Sequence, residues 1–135
     1  MNISFNRRTD LALAALRTLA TVRGRMRGST LAEAIGTTAS FLPQVMAPLV
    51  QGRWVVSGRR PGGGYELTDL AFDARLLDVV EATEGPAESG HCVLRDAPCP
   101  GEETCAVHEV WTRARGVLVD GFDAIQVLPT QRRRP

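Results

Sequence analysis

Several things are missing or scarce in this 135-residue chain, and most of these absences remove a class of protein. No run approaches the ~18 consecutive apolar residues needed to cross a bilayer, so no helical membrane span is expected. Lysine does not occur, and all sixteen basic side chains are arginines. The glycine triplet 62–64 has no GxxxxGK[ST] spacing and no helix opening directly after it, which argues against a phosphate-cradling nucleotide loop. Cysteine is scarce and odd in number, three in all, so a closed disulfide framework is not expected. With two histidines and no Gly-rich elbow or paired-carboxylate pocket, a Cys–His nucleophile has little support, and no enzyme is expected. The basic-then-apolar start is interrupted by Asp10 and Arg17, unlike an export signal. The expectation is therefore a cytoplasmic protein with reduced thiols, and in that compartment clustered cysteines more often bind metal than pair.

The net charge of +1 hides a segregation. Residues 1–60 hold nine arginines against Asp10 and Glu33, a balance of +7, whereas residues 61–135 hold seven against thirteen acids, a balance of −6. A basic first half points to nucleic acid, and the acidic second half to a different task.

All three cysteines fall in residues 92–105, in the pattern Cys92-x6-Cys99-x5-Cys105-x2-His108. Pro98, Pro100 and Gly101 put the first two thiols on loop. Cys105 and His108 are three residues apart at the start of an expected helix, on one face. Soft thiolates with an imidazole suit an iron–sulfur cluster or zinc. The competing reading is three unrelated buried thiols, which a loop this polar serves poorly.

Along the chain, a helix is expected over residues 5–22 with Ser4 as cap and an apolar stripe from Leu11 to Leu19. A basic loop, residues 23–28, precedes a short helix capped by Ser29 or Thr30 and ended by Gly36. A third helix, capped by Thr38 or Ser40, runs to Val50, with Pro43 in its first turn and Pro48 awkwardly inside. Two short strands, 54–57 and 65–67, flank a basic glycine-rich tip and read as a wing. An amphipathic helix over 72–84 leads through the proline-rich loop to a last helix, 104–125. That helix has more apolar stripe than one small core can cover, so its expected partner is its twin in a second subunit.

These stretches together resemble the winged-helix iron–sulfur regulators of the Rrf-two family over about residues 3–127. The carriers are TDLAL (9–13), SFLPQVMAPLV (40–50), RRPGGGYEL (59–67), LLDVVEATEGP (76–86) and the cysteine trio. The resemblance implies a mostly α fold with a small β-hairpin. It implies a winged helix-turn-helix DNA-binding domain over 1–70, and a cluster loop with a dimerisation helix over 71–127. The remaining 128–135 is expected to be a disordered tail. It also implies a cluster held by Cys92, Cys99 and Cys105, and divides on the fourth ligand. His108 matches the IscR type, with a [2Fe-2S] site; Asp10, supplied by the partner subunit, matches the NsrR type, with [4Fe-4S]. His108 and [2Fe-2S] are preferred here, and His91 is a rival ligand. The expected partners are operator DNA, a second copy of the chain, and a signal such as nitric oxide, redox state or iron–sulfur supply. Ser40, Phe41 and Gln44 are placed near base edges, Arg59 and Arg60 on the wing, and Arg7 and Arg8 on the phosphate backbone. Thr30, Gly62, Gly63 and Tyr65 complete the DNA-facing set. The alternative is a structural zinc module that senses nothing.

Overall fold

The computed structural model describes residues 3–59, 63–95, 97–99 and 105–129. Helix α1, Arg7–Ala20, is started by Asn6 and not Ser4: the Asn6 side chain accepts the Thr9 N–H at 2.9 Å. Asn at this position satisfies an orphan helix donor. Leu11, Ala12, Ala15, Leu16 and Leu19 are buried, the expected stripe.

Helix α2, Gly28–Ile35, stops at Gly36, whose φ of 76° is the left-handed value that glycine reaches without strain. Helix α3, Leu42–Gln51, follows; the Thr38 hydroxyl accepts the Phe41 N–H at 3.2 Å just ahead of it. Pro48 lies inside α3 and is buried, so the helix runs through it to Gln51 with the ring serving the core. Helices α1, α2 and α3 close around Leu16, Leu31, Val45, Met46 and Leu49, each at most 1 % exposed.

Strands β1, Val55–Gly58, and β2, Gly64–Leu67, form the expected antiparallel hairpin, Val55 opposite Leu67 and Gly58 opposite Gly64. The basic loop before α2 is less loose than its sequence implied. Met26 bridges Tyr65 through two backbone hydrogen bonds of 2.9 Å, so the wing is tied to the helix-turn-helix. Gly64 makes this approach possible: with φ +134°, a Cβ there would sit 2.2 Å from the Met26 carbonyl oxygen.

The helix expected over 72–84 divides into a 3-10 turn, Asp69–Phe72, and α4, Leu76–Glu84. The Asp78 carboxylate accepts the Arg75 N–H at 2.8 Å and fixes the start of α4. The last helix, α5, begins at His108 and ends at Asp123, sixteen residues instead of the twenty-two expected. It is about 24 Å long. Not one α5 residue is buried, and Val110 and Val117 are each 69 % exposed.

After α5 the chain turns back. Ile125 accepts the Leu76 N–H at 2.8 Å, and Val127 donates to Ala74 at 3.1 Å. Leu128, the first residue assigned to a disordered tail, is instead 1 % exposed in the core. Burying a leucine stabilises by about 1.5–3 kcal/mol, which favours this return. Residues 130–135 of that expected tail lie outside the described residues.

Candidate metal centre and nucleic-acid interface

The cysteines come from a loop that α4 delivers and α5 receives. The Cys92 N–H donates to Ala97 at 2.9 Å, closing the loop on itself, and the His108 N–H donates to Cys105 at 3.0 Å, starting α5. The sulfurs of Cys92, Cys99 and Cys105 all lie within 4.8 Å of one another. Cys92 Sγ is 3.5 Å from Cys105 Sγ, and Cys99 Sγ is 3.6 Å from His108 Nδ1. The four donors thus form two close pairs. All three thiols are free and half-buried. They line a cavity of about 120 Å³ with His91, His108, Trp111, Thr112 and Arg115.

The thiols are not equivalent. The Leu94 N–H donates to the Cys92 sulfur at 3.4 Å, and this backbone bond pulls the Cys92 pKa below the ordinary thiol value. Cys105 is pushed up by its hydrogen bond with Cys92, which favours keeping one proton between the two sulfurs. Of this pair Cys92 is therefore the first to ionise, and full ligation releases protons.

Asp10 is in the first turn of α1 and exposed; the set of donors lying within 4.8 Å of one another is the three cysteines, which His108 approaches through Cys99 and to which Asp10 does not belong. Around it lies a polar clasp that the sequence did not reveal. The Thr9 hydroxyl is 2.7 Å from both the Thr83 hydroxyl and Glu84 Oε1, and the Asn6 N–H donates to the same carboxylate oxygen at 2.9 Å. Thr9 and Thr83 are fully buried, so the start of α1 is locked to the end of α4, next to the cysteine loop. Arg8, expected on DNA phosphates, has its guanidinium hydrogen-bonded to the Thr83 carbonyl in this clasp. Arg7 donates to the Gly36 carbonyl at 3.3 Å, in the turn between α2 and α3.

On the other half of the molecule, Gln44, Ala47 and Gln51 are exposed and recur at helical spacing along α3, with exposed Ser40 in the turn just ahead of it. Ala47 and Gln51 were not singled out in the sequence; the same periodicity that buries Val45 and Leu49 would have found them. Phe41 is half-buried against the core, and Ser40 holds the Thr38 hydroxyl at 3.1 Å. Thr30 is exposed on α2. Arg59, Gly63 and Tyr65 line a groove with Pro43 and Arg27, between the α3 N-terminus and the wing. Tyr65 packs against the core, and burial raises its pKa. Arg25 pairs with Glu66 at 3.3 Å beside this groove. Arg60 and Gly62 lie outside the described residues.

Residues 5–128 match the Rrf2 family, described as an iron-dependent transcriptional regulator. The chain belongs to the Rrf2 family. It is 30 % identical over 102 residues to the HTH-type transcriptional regulator ORF2 of Azotobacter vinelandii, covering 76 % of this chain and 58 % of that protein. It is 33 % identical over 81 residues to the HTH-type transcriptional regulator IscR of Vibrio atlanticus, covering 60 % of this chain and 46 % of that one. This Rrf2 chain thus spans about half the length of the curated relatives it matches. Its fold is similar to CymR, the global cysteine regulator of B. subtilis, with TM-score 0.73, 21 % identity and coverage of 93 % and 94 %. It is similar also to T. potens IscR, with TM-score 0.72, 21 % identity and coverage of 94 % and 85 %. The expected winged-helix fold is present, and the family is one of transcriptional regulators and not of enzymes. No helix among the described residues is long and apolar enough to cross a membrane.

Proposed function

We propose that this Rrf2 chain is a dimeric, sequence-specific DNA-binding regulator, acting as a repressor, whose Cys92, Cys99, Cys105 and His108 hold an iron–sulfur cluster. The observation that carries the reading is the convergence of three free thiols and one imidazole on a single small cavity. The pairing of donors, Cys92 with Cys105 and Cys99 with His108, is the ligand count per iron that a [2Fe-2S] site needs. Such a cluster supplies a centre sensitive to redox state, nitric oxide and iron–sulfur supply. Ser40 and Gln44 then face base edges, and Arg59 and Arg60 reach phosphates from the wing. Exposed Val110, Val117 and Leu118 supply the face on which a second copy packs.

The test compares anaerobically purified wild type, His108→Ala and Asp10→Ala by iron and sulfide content and by visible and resonance Raman spectra. The reading expects a [2Fe-2S] spectrum that His108→Ala perturbs and Asp10→Ala leaves intact. A [4Fe-4S] spectrum that survives His108→Ala and changes with Asp10→Ala would reassign the fourth ligand to the partner subunit's aspartate.

One observation favours a second reading, a structural zinc site. A tetrahedral ion with Zn–S bonds of ~2.3 Å has ligands about 3.8 Å apart. The 3.5 Å between Cys92 and Cys105 and the 3.6 Å between Cys99 and His108 are near that edge, and the three sulfurs lie within 4.8 Å of one another, so a single ion among the thiols is the competing occupant.

A further inference from the structure

We propose that Arg115 is the charge-compensating side chain of the cysteine site, a guanidinium beside the thiolates that makes an anionic metal–sulfur group easier to reduce. The inference rests on the iron–sulfur reading above and concerns a residue that no ligand motif includes. The α5 wall of the cavity is made by His108, Trp111, Thr112 and Arg115. His108, Thr112 and Arg115 are spaced i, i+4 and i+7, so they share one face of the helix. Seven residues advance the backbone about 10 Å. Helical side chains lean toward the N-terminus, so a long one at 115 spans much of that distance back toward the cysteines.

Among the described residues that line this cavity, Arg115 is the only permanently charged one, and none is a carboxylate. Among the described residues, the salt bridge found joins Arg25 to Glu66, and Arg115 takes part in none. It lines a second, apolar cavity with Leu77, Val80, Leu118 and Phe122. An arginine can do both, because its methylene stem packs on apolar surface while its charged head stays in a polar setting. Thiolates and inorganic sulfide give a bound cluster net negative charge, which grows by one on reduction. A fixed cation lining the same cavity therefore favours the reduced form in a site partly withdrawn from water. Arginine suits this because it does not deprotonate, whereas a histidine there would add a second titration.

The test is dye-mediated potentiometry of the iron–sulfur-loaded wild type, Arg115→Gln and Arg115→Lys, after iron and sulfide have been counted and the fold checked by circular dichroism. Arg115→Gln should shift the oxidised-to-reduced ratio about tenfold toward oxidised at fixed potential, equivalent to about 59 mV for one electron. Arg115→Lys, which keeps the charge, should recover most of that shift. Arg115→Met carries the same expectation as the glutamine variant and stands in if that variant does not fold. An unchanged potential in the neutral variants overturns the proposal, and equal shifts in the lysine and glutamine variants overturn charge as its cause. A wild type without iron and sulfide removes the cluster reading itself, and the proposal with it.

Discussion

The two halves of this molecule are stabilised in different ways. The helix-turn-helix half has a closed apolar core in which Leu16, Leu49 and Val45 have no exposure to speak of. Helix α5 has no fully buried residue: Val110, Val117 and Leu118 face outward, while Phe122 meets Phe5 with ring centroids 5.5 Å apart. The first half is complete within one chain. On the proposed reading the second half takes partners, a second copy against α5 and a metal among the cysteines. The proposed sensor would then keep its rigid part on DNA and its conditional part elsewhere, so that ligand loss acts without unfolding the reader. The clasp of Thr9, Thr83 and Glu84 is one non-covalent link between them, joining α1 to the residue before the cysteine loop, and Leu128 in the core is another.

The sharpest way to break this comparison is to cut the core on one side and the exposed face on the other. Leu16→Ala should cost about 2–5 kcal/mol in chemical denaturation, since a fully buried leucine leaves a cavity. Val117→Asp, at a 69 % exposed position, should leave the circular dichroism intact and shift sedimentation from dimer to monomer. If Val117→Asp unfolds the chain instead, α5 is part of the core and the division fails. Thr9→Val removes a hydroxyl shared by Thr83 and Glu84, and should cost about 1–3 kcal/mol. On DNA, Arg59→Ala should weaken binding uniformly and reduce the salt slope by about 0.9. Gln44→Ala should chiefly blur sequence preference, and equal behaviour of the two on scrambled sites would remove the groove assignment.

The smallest expected effect is kinetic. In metal-free protein near neutral pH, Cys92 should be alkylated before Cys105, because its pKa is lowered and that of Cys105 is raised. Raising the pH should narrow the difference as Cys105 also ionises. Site-resolved mass spectrometry that finds Cys105 reacting first would reverse the order derived from their hydrogen bonds.

Much of this was legible in the sequence, and the reason is locality. Helix periodicity, Gly36 as a stop, the glycine-rich wing and the cysteine spacing are all signals carried within a few residues. What escaped was long-range. Thr9 and Thr83 are 74 residues apart and meet as two hydroxyls at 2.7 Å, which no local pattern encodes. Met26 joined to Tyr65, Leu128 returned to the core, and Arg8 turned to the Thr83 carbonyl belong to the same class. In each case the deciding term is a partner brought near by packing of other residues.

One measurement bears most directly on whether the cysteine cavity holds an iron–sulfur cluster. Iron, acid-labile sulfide and zinc should be counted per chain, with a visible spectrum, in anaerobically purified wild type beside Cys99→Ala. The account predicts a brown wild type with iron and sulfide in equal amounts, and a colourless variant lacking both. A colourless wild type carrying about one zinc per chain would contradict it.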